Sequence, residues 1–123
     1  MRFRHEQHLR KPGEIGTVRE RGRRLDCRAF TIWWKPREHA PTPAGARVCV
    51  IASRAGVGTA VRRNRAKRRL REIFRRHQAA VPAGCDMLLI ARVGAAVWPM
   101  DRLEHLFAEA CQRLTPAGGN PRE

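Results

Sequence analysis

Fifteen residues, Arg62 to Arg76, restrict this chain more than any other stretch. They read Arg-Arg-Asn-Arg-Ala-Lys-Arg-Arg-Leu-Arg-Glu-Ile-Phe-Arg-Arg, with nine basic residues and a single acid, Glu72. Ala66, Leu70, Ile73, Phe74 and His77 recur at the 3.6-residue period, which predicts a helix with one apolar stripe. At about 100° per residue, Asn64, Arg68, Arg71 and Arg75 fall on the opposite side, flanked by Arg65 and Arg76. One face therefore docks on a core while the other presents guanidinium groups. Like charges this close on a helix repel, and a polyanion is the natural counterpart.

The rest of the chain supplies the core that such a helix needs. With 123 residues and 42% apolar composition, it is expected to form one domain over residues 12–114. Residues 1–11 read as a loosely held basic arm, and 115–123 (Thr-Pro-Ala-Gly-Gly-Asn-Pro-Arg-Glu) as a disordered tail. A formal charge of +15 bears on partners and not on fold, and points to nucleic acid or an anionic surface. Cys27, Cys49, Cys85 and Cys111 lie 22, 36 and 26 residues apart, too far for a zinc knuckle or redox motif, so buried free thiols are expected. The amino terminus has no apolar signal-peptide core, and no run approaches membrane-spanning length. A cytoplasmic protein without membrane contact is expected.

Taken in order, Pro12 opens a short helix that Gly22 closes, with Ile15 and Val18 as its apolar edge. Leu25 to Lys35 reads as one strand. Phe30, Ile32 and Trp34 point to the core, and Thr31, Trp33 and Lys35 to a face that need not be dry. Pro36 to Gly45 is a proline-rich loop, and Arg47 to Ala52 a buried strand. Ser53 to Thr59 reads as a flexible turn whose amides could approach an RNA phosphate, with Thr59 as N-cap of the basic helix. Its Gly-x-Gly lacks the Rossmann and Walker spacings.

The basic helix is expected to stop between Gln78 and Pro82. Met87 to Ala91 is apolar without alternation, as in a strand covered on both faces, and Arg92 closes it. Pro99 opens a last helix with Leu103, Leu106, Phe107, Ala110 and Leu114 inward and Asp101 and Glu104 near its positive end. The order α-β-β-α-β-α, with room for another short strand, gives an α+β fold.

Catalysis by this chain alone is poorly supported. The acids are scattered, with no Asp-x-Asp or Glu-x-x-Glu cluster, and His77 sits on the apolar stripe as a core or boundary residue. A merely solvated helix face would mix Lys with Glu at i,i+4, whereas here arginine dominates, and its planar fork matches phosphate. A membrane-surface helix would carry more bulky apolar residues. Binding of a polyanion such as nucleic acid remains, with a structural RNA-binding protein and a free-standing nuclease among the readings to be weighed.

The run Val61 to Arg75 closely resembles the signature helix of the bacterial ribonuclease P protein component, Arg-Asn-Arg-x-Lys-Arg-x-x-Arg-Glu-x-Phe-Arg. Every fixed position is met from Arg63 to Arg75. The resemblance extends over roughly residues 8 to 113. Leu9-Arg10-Lys11 and Val18 to Gly22 resemble the family's first helix. Arg28-Ala29-Phe30-Thr31-Ile32-Trp33 resembles its first long strand, and Gly84-Cys85-Asp86 with Leu88 to Arg92 its strand after the signature helix.

That resemblance implies an αβββαβα two-layer sandwich, like a ribosomal-protein domain, with a left-handed β-α-β crossover. It implies a subunit of ribonuclease P, the endoribonuclease that removes the 5′ leader of precursor tRNA. Catalysis there belongs to an RNA subunit, which holds most of the Mg²⁺. The partners implied are that catalytic RNA and precursor tRNA with its leader, and no further protein is required.

Carried onto this chain, the RNA-binding set is Arg54, Arg62, Arg63, Asn64, Arg65, Lys67, Arg68, Arg69, Arg71 and Arg75. The leader-contacting set is Thr31, Trp33, Lys35, Ile15 and Arg19, in a cleft between the signature helix and the sheet. Ile15 and Arg19 stand where relatives often have phenylalanine, so Arg19 would offer a phosphate contact in place of stacking. Arg54-Ala55 stands where two lysines are common, one charge fewer.

Overall fold

The structure, a computed structural model, describes residues 12–36, 46–81 and 84–114. The expected basic arm, nearly all of the Pro36–Gly45 loop and the expected tail lie outside the described residues. The elements are α1 (Pro12–Arg21), β1 (Arg23–Asp26), β2 (Phe30–Pro36), β3 (Arg47–Ile51), α2 (Arg54–Val57), α3 (Ala60–Arg76), β4 (Cys85–Ala91), α4 (Val93–Val97) and α5 (Met100–Arg113). The four strands with α1, α3 and α5 run αβββαβα, the order that the resemblance implies. The short helices α2 and α4 are additions to it.

The strands form one sheet in the order β1-β2-β4-β3. β2 is antiparallel to both β1 and β4, while β3 is parallel to β4. Parallel neighbours need a long crossover, and here it carries α2 and α3. Register aligns Trp34, Met87 and Val48 across the sheet, and Ile32, Leu89 and Val50 beside them. These six residues and Phe30 face the main core, where they meet Leu70, Ile73 and Phe74 of α3 and Leu103 and Phe107 of α5. Phe30 and Phe107 pack as tilted rings with centroids 6.4 Å apart, a favourable aromatic geometry.

Helix α3 forms as its period requires. The Thr59 hydroxyl accepts the Arg62 N–H at 3.3 Å, and Ala66, Leu70, Ile73 and Phe74 are buried. His77 caps the far end at the boundary of the core. Its Nε2 lies 3.1 Å from Glu104 Oε1, and Arg76 donates to Glu104 Oε2 at 2.7 Å, tying α3 to α5.

Three local features differ from expectation. The strand expected from Leu25 to Lys35 is two strands, broken at Cys27–Ala29. There the Cys27 N–H donates to Phe30 O at 2.9 Å, the Asp26 carboxylate accepts the Arg28 N–H at 2.8 Å, and Arg28 adopts φ 70°. The turn expected over Ser53–Thr59 contains α2, because the Ser53 hydroxyl accepts the Gly56 N–H at 3.0 Å and caps a helical turn. Gly58 ends that turn at φ 117°, a value that a residue with Cβ strains to adopt. The stretch after Arg92 holds α4, whose small residues Gly94, Ala95 and Ala96 are buried. A Cβ on Gly94 would come within 2.9 Å of Ala29 Cβ, so only glycine lets α4 sit this close to the β1–β2 turn.

Candidate nucleic-acid interface

With its stripe buried, α3 presents three differently occupied sides. Arg62, Asn64, Arg65, Arg68 and Arg71 are not buried, and their side chains make no hydrogen bond or ion pair among the described residues. On the side toward α4, Arg69 donates to Ala95 O at 3.2 Å; burial and the charge of Arg65 lower its pKa. Arg75 is also engaged within the protein, with Nε 3.1 Å and Nη2 2.8 Å from the two oxygens of Glu72. Those hydrogen bonds, joined by one from Arg76, hold the Glu72 pKa down at about 2. Arg63 is half-buried, and its Nε is enclosed with no hydrogen bond among the described residues.

The third side looks onto β3. Lys67 is half-buried there. Burial pushes the Cys49 thiol pKa up, while the charges of Arg71 and Lys67 pull it back. Cys49 alternates with Val48 and Val50 of the main core, so Lys67 and Arg71 border the opposite face of the sheet.

That opposite face is built in rows. Arg24, Trp33, Leu88 and Cys49 align across the four strands. Thr31, Ile90 and Ile51 form the next row on one side, and Lys35, Asp86 and Arg47 the next on the other. Helix α1 lies over β2 and β4. Val18 of α1 and Leu88 of β4 are buried against each other, with Ile15, Trp33, Cys49, Ile51 and Ile90 only partly covered around them. The Arg19 guanidinium sits 5.7 Å from the Trp33 ring centre, a cation–π distance. The result is a half-covered apolar floor between α1 and the basic rim of α3.

The leader-contacting set is divided by this geometry. Ile15, Arg19 and Trp33 come together at the floor. Lys35 lies one row away and donates to Pro36 O at 3.1 Å, while Thr31 is buried at 4% exposure. Arg54 is exposed on α2, ahead of the basic helix. Cys49, Ile51 and Ile90 join the floor without having been expected there from sequence. Alternation along Arg47–Ala52 carries that signal, but only strand pairing tells which of its sides is open.

An aromatic floor beside unpaired guanidinium groups suits single-stranded nucleic acid, whose bases stack while its phosphates take the cations. Of the two acids in these rows, Asp26 stands at the β1 end beside Thr31, and Asp86 is held by Arg47, with Nε and Nη2 each 2.9 Å from a carboxylate oxygen. Among the described residues, no three His, Cys, Asp or Glu side chains converge to hold a metal ion.

The family described as Ribonuclease P matches residues 3–115 of the chain. This chain belongs to the ribonuclease P family. It is 37% identical over 108 residues to the ribonuclease P protein component of Desulfovibrio desulfuricans, covering 88% of this chain and 77% of that relative. It is 36% identical to that of Herpetosiphon aurantiacus over 87% of this chain and 83% of the relative. The solved ribonuclease P protein of Thermotoga maritima shares the fold, with a TM-score of 0.75 at 23% identity over 88% of this chain and 97% of that one. The run that resembles the family's signature helix is α3, and its Lys67 and Arg71 border the open sheet face.

Proposed function

We propose that this chain is the protein subunit of a ribonuclease P holoenzyme, binding the catalytic RNA through α3 and the 5′ leader of precursor tRNA on the open face of the sheet. The observation that carries this reading is the run of side chains Arg62, Asn64, Arg65, Arg68 and Arg71, open to solvent, with Arg71 bordering the sheet face that carries a half-covered Trp33. The RNA subunit cleaves the phosphodiester, releasing the leader and leaving the mature 5′ end. This chain positions the RNA and neutralises phosphates. In this reading the Mg²⁺ used for cleavage is held chiefly by the RNA subunit.

Trp33 stacks on an unpaired leader base, and Arg19 contacts a phosphate beside it. Lys67 and Arg71 line the other rim. Arg69 and Arg75, engaged at Ala95 and Glu72, support the helix more than they grip RNA. No helix among the described residues is long and apolar enough to cross a membrane. Our reading puts the protein in the cytoplasm with its RNA, with no second protein required.

Replacing Arg68 by alanine tests the reading. Binding to a bacterial ribonuclease P RNA should weaken, and the slope of log K against log salt should flatten by about 0.7–0.9 for each phosphate no longer neutralised. An unchanged slope would remove Arg68, and with it the outer face of α3, from the interface.

A further inference from the structure

The β1–β2 turn places an arginine where its backbone favours glycine or asparagine. Arg28 has φ 70°, the one positive value at a non-glycine position among the described residues. A Cβ disfavours that left-handed region. The turn is held by the Asp26 carboxylate on the Arg28 N–H and by Cys27 N–H on Phe30 O. Neither bond uses the Arg28 side chain, which is exposed and makes no hydrogen bond among the described residues. Strain kept where a neutral residue would relieve it points to a use for the side chain outside the fold.

Two more guanidiniums gather at the same place. Arg24 Nη2 lies 4.0 Å and Arg92 Nη2 3.6 Å from Asp26 Oδ2, both longer than hydrogen bonds. The side chains of Arg24 and Arg92 are 48% and 45% exposed. Three arginines thus share one carboxylate whose other oxygen is committed to the turn, a local surplus of two positive charges. The hydrogen bond from the Arg28 backbone, followed by the charges of Arg92, Arg24 and Arg28, lowers the Asp26 pKa, so the acid stays ionised and the surplus is fixed.

Arg24 stands on β1 and Arg28 in the turn that follows it, whereas Arg92 follows β4 and opens α4, the short helix that Arg69 of α3 meets at Ala95 O. β1 and β3 are the outer strands, about 14 Å apart over three inter-strand steps. Register sets Arg24 directly beside Trp33, and Asp26 beside Thr31. The cluster therefore borders the same face as Trp33, facing Lys67 and Arg71 across it.

We propose that Arg24, Arg28 and Arg92 form a second phosphate site, gripping single-stranded RNA at the β1 edge after it crosses Trp33. The strand is then held by cations at both edges and by stacking between them. Arginine forks suit this role because each donates two aligned hydrogen bonds to a phosphate. This site rests on the reading that the open face takes the leader.

Arg28→Asn separates the site from the fold, since asparagine tolerates the left-handed region and keeps the N–H that Asp26 accepts. Its Tm should rise by a few degrees while affinity of the reconstituted holoenzyme for leader-bearing precursor falls severalfold. The salt slope should flatten by about 0.7, and binding of a substrate without leader should not change. Arg28→Lys should restore most of the affinity with no gain in Tm. The double variant Arg24→Gln with Arg92→Gln should lose leader affinity in the same way. Arg68→Gln, run in parallel, reports on the underlying reading by weakening binding to the catalytic RNA. If Arg68→Gln weakens binding and Arg28→Asn leaves leader affinity and slope unchanged, the second site is refuted while the reading stands. Equal weakening for substrates with and without leader refutes it too. No effect from Arg68→Gln overturns the reading and this site together.

Discussion

Replacing Asp86 by alanine tests what holds β3 onto the sheet under the proposed groove. Asp86 is 8% exposed and stands on β4 between Arg47 on β3 and Lys35 on β2. Arg47 grips both of its oxygens at 2.9 Å. Alanine removes the carboxylate to which that guanidinium is bound. Breaking a buried pair costs about 3–5 kcal/mol, because the surviving charge is left in a poor solvent. Arg47 keeps 23% of its side chain exposed and can turn partly to water, so the expected loss is lower, about 2–3 kcal/mol. At roughly 3–6 °C per kcal/mol for a domain of this size, Tm should drop by about 6–18 °C. Thermal unfolding by circular dichroism reads the shift, and urea unfolding at constant m gives the free energy. An Arg47→Met, Asp86→Leu double variant should recover most of the loss, since an apolar pair leaves no charge to compensate. A Tm change under about 3 °C for Asp86→Ala, or additive single and double variants, would refute the pair's role in joining β3 to β4.

Two further variants bear on the groove and on α3. Trp33→Ala should weaken holoenzyme binding of leader-bearing precursor by about 1–3 kcal/mol, with much less effect on mature tRNA; equal losses in a binding titration would remove the stacking role. Glu72 is ionised down to about pH 2 in the folded chain against an ordinary 4.5. A depressed carboxylate pKa stabilises the fold fully above about pH 4.5 and loses that contribution as pH falls toward 2. Glu72→Gln should therefore flatten the fall of Tm across that window, and an acid limb identical to the parent's would show that Arg75 and Arg76 gain nothing from Glu72.

What could be read from sequence follows from where each signal resides. The 17 residues of α3 repeat their period often enough to expose both the stripe and the cationic sides. Trp33 could be assigned to the less buried face because alternation separates it from Phe30, Ile32 and Trp34 within one strand. The break at Cys27–Ala29 was missed because its left-handed residue is Arg28, and the one turn-forming residue beside it, Asp26, is a weaker mark than glycine or proline. The five residues of α4 are too few to show a helical period. The floor of the groove depends on pairing Trp33 with Leu88 and Leu88 with Cys49, which brings together distant parts of the chain. For the same reason, the engagement of Arg69 at Ala95 O, 26 residues away, could not be foreseen from the charge pattern of the helix.

The central claim is that this polypeptide positions RNA and leaves bond-breaking to an RNA partner. Cleavage of precursor tRNA at low Mg²⁺, assayed with this protein alone, with a bacterial ribonuclease P RNA alone, and with both, tests it most directly. We expect mature 5′ ends in quantity only when both are present, and no cleavage by the protein alone. Leader removal by the RNA-free protein, or no gain when protein joins RNA, would contradict the claim.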